Sequence, residues 1–175
     1  MKPKTKIVVI TGAESTGKSN LTQWLANHFS APLIPEYARK YVENLDRKYN
    51  YRDVEIIAEK QVEQLQQLQN SNAPFIFADT WLIITKVWFE VVFQKIPDWL
   101  EKEIQNAPID FFLICDTDIP WEADSVRENG GEKRVELQQI YINNIQKFNF
   151  PYAVVSGTNE VRYQNALQNL SLLKK

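Results

Sequence analysis

The chain has 175 residues, of which 44% are apolar and 24% charged, and carries a net charge of −2 at neutral pH. This is ordinary globular usage for one domain that can bury a full core, and no apolar run is long enough to span a membrane. Acids and bases are interspersed, which excludes a broad electrostatic footprint for duplex nucleic acid. With one cysteine, Cys115, and one histidine, His28, neither an intrachain disulfide nor a Cys/His metal cluster can form, so a cytoplasmic setting is expected.

The basic start, Met1 to Lys6, leads into Lys6 to Thr11, whose apolar run is too short for a signal peptide and reads as a first strand. Four further runs rich in branched or aromatic residues read as buried strands: Pro32 to Pro35, Phe75 to Ala78, Phe111 to Cys115 and Tyr152 to Val155. Helical spacing appears over Ser19 to Phe29 and Asp53 to Gln69, and a helix is expected over Thr80 to Phe93. Strands alternating with helices predict a three-layer α/β fold, a parallel sheet covered on both faces, over residues 1–175 as a single domain. The segment Asp116 to Arg134 has no sustained periodicity and reads as a long loop after the fourth strand.

Between the first strand and first helix stands Gly12-Ala13-Glu14-Ser15-Thr16-Gly17-Lys18-Ser19, a complete phosphate-loop motif in its required context, followed by Asn20. Its glycines free the backbone to turn successive N–H groups onto phosphate oxygens, and the helix N-terminus adds a favourable dipole. Lys18 supplies a point charge for the β and γ phosphates of ATP, and the Ser19 hydroxyl reaches Mg²⁺. A plain glycine turn capped by Ser15 or Thr16 is the alternative, but the spacing should arise by chance in well under roughly one chain in a hundred.

Ligands of open α/β sheets sit beyond the carboxyl ends of the strands, and three such ends carry an acid: Glu36, Asp79 and Asp116. Asp79 is the choice for the metal and Glu36 for the base that takes the acceptor's proton; each could instead be a helix cap. Arg39 follows Glu36 at helical spacing and could merely pair with it. Among the aromatics, Trp88 and Tyr37 are candidates to stack on an acceptor's base, against a plain core stripe with Trp81, Phe89 and Phe93. Arg127 and Arg134 could swing over the triphosphate, or belong to a solvated loop. His28 reads as a packed or surface residue and Cys115 as inert.

Together, Gly12 to Ser19, Pro35-Glu36-Tyr37-Ala38-Arg39, Phe77-Ala78-Asp79-Thr80 with Thr85-Lys86-Val87-Trp88, and Cys115-Asp116-Thr117-Asp118-Ile119-Pro120-Trp121 running on to Arg127-Glu128 resemble the ribosylnicotinamide kinase domain of the bacterial NadR family. The resemblance implies a sheet of strand order 2-3-1-4-5 and transfer of the ATP γ-phosphate to the 5′-hydroxyl of nicotinamide riboside. The product would be nicotinamide mononucleotide, for NAD salvage. It also implies that Asp116 to Arg134 is a lid, with Asp116, Asp118 and Trp121 on the substrate, and that the turn Ser156-Gly157-Thr158, through Gly157 and Thr158, flanks the adenine. Two positions depart from the pattern: Asn20 stands where threonine is usual, and Trp81 where a second polar residue often follows Asp79-Thr80. Full-length members add an adenylyltransferase and a DNA-binding domain, for which this chain has no room, so neither activity is expected. The expected partner is a small nucleoside, with no nucleic acid or membrane, and a homo-oligomer stays open. The rival readings are a kinase for another small acceptor and a non-catalytic P-loop ATP sensor.

Overall fold

The structure is a computed structural model that describes residues 4–68, 71–123 and 127–174. The expected helix end at Gln69, the extreme N-terminus and the middle of the expected lid lie outside these residues. Five strands, β1 (Lys6–Thr11), β2 (Leu33–Ile34), β3 (Phe75–Asp79), β4 (Phe111–Cys115) and β5 (Tyr152–Val155), form one parallel sheet in the order 2-3-1-4-5. The three central strands are apolar on both faces because both faces are covered. Along β1, Ile7 and Val9 enter one core with Ile76 and Phe112, whereas Val8 and Ile10 enter the other with Phe77 and Leu113. This is the two-residue alternation of a strand, used twice.

The second core is closed by α1 (Lys18–Phe29) and α7 (Asn159–Ser171), through Leu21, Leu25, Ala166 and Leu170. The first is closed by α3 (Tyr51–Leu68), α4 (Leu82–Trp88), α5 (Leu100–Asn106) and α6 (Gly131–Lys147). A short helix, α2 (Tyr37–Glu43), follows β2 and buries none of its residues. No helix among the described residues is long and apolar enough to cross a membrane.

Three expectations about element bounds are corrected. The second strand is only two residues long, since Pro32 and Pro35 have no N–H to give the ladder, although the Pro32 carbonyl still accepts from Phe77 N at 3.0 Å. The helix expected over Thr80 to Phe93 begins at Leu82, because Thr80 is left-handed (φ 59°), and ends in a π-helical turn, Phe89–Phe93. The expected loop ends at Gly130, so Lys133 and Arg134 stand in the first turn of α6.

The turn between α2 and α3 is organised by Asp53, which is 2% exposed. Its carboxylate accepts from both Arg47 Nη atoms (2.6 and 2.9 Å), from Asn50 N (2.7 Å) and from the Tyr41 hydroxyl (3.0 Å). The Arg47 guanidinium foremost, then these donors, hold the carboxyl far below the ordinary carboxylate range. The network fixes the segment that carries Tyr49. Asp53→Ala is expected to lower the unfolding midpoint at neutral pH. A lowered folded-state pKa stabilises fully above the ordinary value of 3.8 and progressively less as the pH falls below it, so the gap to the parent protein should narrow there. Thermal melts across an acid series check this.

Candidate active site

Gly12 has φ 140°, and a Cβ there would lie 2.7 Å from the Cys115 carbonyl oxygen, so the end of β1 and the end of β4 meet at a distance only glycine allows. From there the phosphate loop is held carbonyl by carbonyl, by its own side chains and by others from α6 and α7. The Ala13 carbonyl accepts from Thr16 Oγ1 (2.9 Å) and Lys18 Nζ (2.7 Å), and the Ser15 carbonyl from Arg134 Nη2 (3.1 Å). The Thr16 carbonyl accepts from Arg162 of α7. Buried Gln138 of α6 accepts from Ala13 N at 2.7 Å and donates to the Cys115 carbonyl at 2.8 Å. With the carbonyls occupied in this way, the loop's remaining amide N–H groups are left for an anion, which is the function of a nest.

Asp79 ends β3 and is 5% exposed. Its Oδ2 accepts from the Ser19 hydroxyl at 2.5 Å, while its buried Oδ1 has no hydrogen-bond partner. Burial raises its pKa to about 6, against the Ser19 hydrogen bond and the cations Lys18 and Arg39, and with help from the charge of Glu36. Asp79 is not a helix cap, for Trp81 precedes α4 and no side chain caps it. Glu36 does occupy the N-cap position of α2, yet it makes no cap hydrogen bond; its nearest cation is Arg39, whose Nε lies 3.8 Å away.

Ser19, Glu36 and Arg39 border a cleft of about 350 Å³, and Asp79 reaches its edge through the Ser19 hydroxyl. One wall is the phosphate loop, from Gly12 to Asn20, omitting Ala13. The lining also includes Glu36 and Arg39, Tyr49, Gln61, Thr85 and Trp88, and Arg127, Asn129 and Lys133. Trp88 meets Tyr49 edge-on, with ring centroids 4.7 Å apart and planes at 79°. Trp81 and Phe89 instead are buried in the core.

Several expected site residues are placed elsewhere. Tyr37 packs on Tyr41 (5.9 Å between centroids) and does not line the cleft, a place taken by Tyr49. Arg134 is 5% exposed and donates to the Ser15 and Ile119 carbonyls, so it braces the loop and does not swing over it; the neighbouring Lys133 lines the cleft. Asp116 and Asp118 tie the chain after β4 to that after β5: Asp116 Oδ2 accepts from the Ser156 hydroxyl at 2.8 Å, and Asp118 accepts from Gly157 N and pairs with Arg162. Trp121 packs against Gly130, whose Cβ would lie 3.2 Å from its ring. Gly157 and Thr158 lie beside Arg162, which donates to the Gly157 carbonyl at 2.7 Å, outside the cleft lining. Glu14 does line the cleft, but its carboxylate is engaged by Glu128 N, Asn129 N and Asn129 Nδ2 at 3.3, 2.9 and 3.0 Å. His28 is exposed and stacked on Trp24, and Cys115 is buried with its thiol pushed up to about 11 by burial, which keeps it protonated and inert.

Among the described residues no cluster of three or more acids, histidines or cysteines could hold a metal by itself. A hydroxyl beside a buried carboxylate with an unpartnered oxygen does fit Mg²⁺, which keeps several waters and takes the rest of its shell from phosphates.

A model of the AAA domain family matches residues 7–162. The trifunctional NAD biosynthesis/regulator protein NadR of Escherichia coli K12 is 25% identical over 155 residues, which are 86% of this chain and 38% of that protein, so the chain spans well under half of this relative. A crystal structure of NadR in complex with NAD and AMP-PNP superposes with a TM-score of 0.78 at 24% identity, covering 96% of this chain and 49% of that one. Another, of NadR in complex with NR, gives 0.76 at 22% identity, over 96% and 50%. These likenesses establish the kinase-type arrangement of the sheet.

Proposed function

The chain belongs to the AAA domain family of P-loop proteins, and we propose that it is an ATP-dependent kinase that phosphorylates the 5′-hydroxyl of nicotinamide riboside. The observation that carries the proposal is one cleft lined by the phosphate loop, Glu36, Tyr49 and Trp88, with the loop's Ser19 bonded to the buried carboxylate of Asp79. The similarity to NadR supports the choice of acceptor.

In this reading the loop's amides and Lys18 hold the triphosphate, while Gly157 and Thr158, fixed by Asp118 and Arg162, flank the adenine. Ser19, and Asp79 through water, would hold Mg²⁺, which offsets the charge of the phosphates when bound. Trp88 and Tyr49 give the acceptor's base an apolar surface, so that the 5′-hydroxyl is presented toward Glu36. The Glu36 carboxylate accepts the hydroxyl proton as the oxygen attacks the γ-phosphorus, and Arg127 and Lys133 neutralise the charge on the departing ADP.

Incubation with MgATP and nicotinamide riboside should release ADP and nicotinamide mononucleotide in equal amounts. No turnover at saturating substrate, with ATP binding intact, sinks this reading. Glu36→Gln is expected to lower kcat by roughly 10²-fold or more, the usual contribution of a general base, while calorimetry finds ATP bound as before. Normal turnover of that variant would transfer the role of base to Asp79.

A further inference from the structure

Gln61 lies on α3 and is 4% exposed. Its Oε1 accepts from the Thr85 hydroxyl of α4 at 2.7 Å. Its Nε2 makes no hydrogen bond among the described residues, and both side chains line the cleft. The Thr85 hydroxyl fixes the orientation of the amide, and its NH2 group carries two N–H donors. Gln61 Nε2 is not among the fully buried unpartnered atoms, so its N–H groups open into the cleft, where a ligand can take them up. The position of this donor is informative. Thr85 and Trp88 are neighbours on one face of α4, so Gln61 reaches the cleft one turn from the aromatic wall. From Leu82, just beyond Asp79, to Trp88 the helix rises roughly 9 Å, about the reach from a 5′-hydroxyl to a base.

We propose that Gln61, positioned by Thr85, reads the edge of the acceptor's base and selects nucleosides whose base carries a hydrogen-bond-accepting group, such as a carboxamide or ring carbonyl oxygen, over those with a bare edge. The inference rests on the nucleoside kinase reading. It gives the cleft a second recognition element beside the aromatic wall. Stacking on Trp88 is indifferent to the substituents of a ring, whereas a fixed N–H discriminates between them, because the analogue that lacks an acceptor leaves the donor unpaired.

The test compares nicotinamide riboside with the pyridinium riboside that lacks the carboxamide, at saturating MgATP, in the parent protein and in Gln61→Met, Gln61→Glu and Thr85→Val. The parent protein is expected to favour the carboxamide by roughly tenfold to hundredfold in kcat/KM, the value of one buried hydrogen bond in discrimination. Gln61→Met and Gln61→Glu should reduce that ratio to near one while the dissociation constant of ATP stays as it was. Thr85→Val, which frees the amide without removing it, should reduce the ratio part of the way, mainly through KM of the acceptor; it also serves if the Gln61 variants fail to fold. A parent ratio near one, or an unchanged ratio in both Gln61→Met and Thr85→Val, overturns the inference and leaves the kinase reading standing. If no nucleoside releases ADP, the kinase reading fails. Calorimetric binding of the two ribosides to the ATP-loaded parent and Gln61→Met proteins then decides the inference, with equal affinities overturning it.

Discussion

Lys18→Ala is expected to lower kcat/KM for ATP by roughly 10²-fold to 10³-fold or more, with the melting temperature almost unchanged. The loss follows from removing the one ammonium group that stands within the loop, in a site where preorganised charge governs phosphoryl transfer. The unchanged melting temperature follows from the contacts. Among the described residues Lys18 Nζ donates only to the Ala13 carbonyl, and Thr16 Oγ1 donates to that same oxygen, so truncating Lys18 orphans no buried acceptor there. Steady-state ADP release together with scanning fluorimetry measures both. A variant with parent-like kcat/KM would remove the phosphate loop from the chemistry.

Asp79→Asn is expected to abolish most activity and to make the unliganded protein more stable at neutral pH. Asp79 is raised to about 6 by burial from an ordinary 3.8, so the folded chain favours its protonated form. The sign is the reverse of the usual carboxylate case. Below about 3.8 the group is neutral in both states and costs nothing; between there and about 6 the cost grows, and above 6 it is complete. That difference is worth about 3 kcal/mol. The parent protein should therefore lose stability between these limits, whereas Asp79→Asn should lack that loss and melt higher above pH 6. Melting curves of the two proteins over this range test it, and a lower midpoint for Asp79→Asn at neutral pH would show that the carboxylate is held by more than the Ser19 hydroxyl.

Much of this was legible in the sequence, because the information is local. The five strands announce themselves by apolar runs with branched side chains, and the phosphate loop by its spacing and its place between strand and helix. Asp79 and Glu36 could be found from the rule that strand ends carry the site. The supports of the loop could not. Gln138, Arg134 and Arg162 reach Ala13, Ser15 and Thr16 across more than a hundred residues, through side-chain to backbone bonds that leave no periodic trace. Of the two candidate stacking rings, Trp88 lines the cleft, whereas helical geometry turns Tyr37 onto Tyr41; Tyr49 stands on the turn that Asp53 fixes. Four helices were not assigned: α5 is short, α2 buries nothing, and α6 and α7 lie beyond the three stretches read as helical.

The contact at Gly12 has a mechanical consequence. With no room for even a methyl group between the loop and the Cys115 carbonyl, and with Gln138 bonded to both, the nucleotide end of the sheet behaves as an anvil. On the proposed kinase reading, approach of the two substrates falls to the acceptor side, whose short helix α2 buries none of its residues.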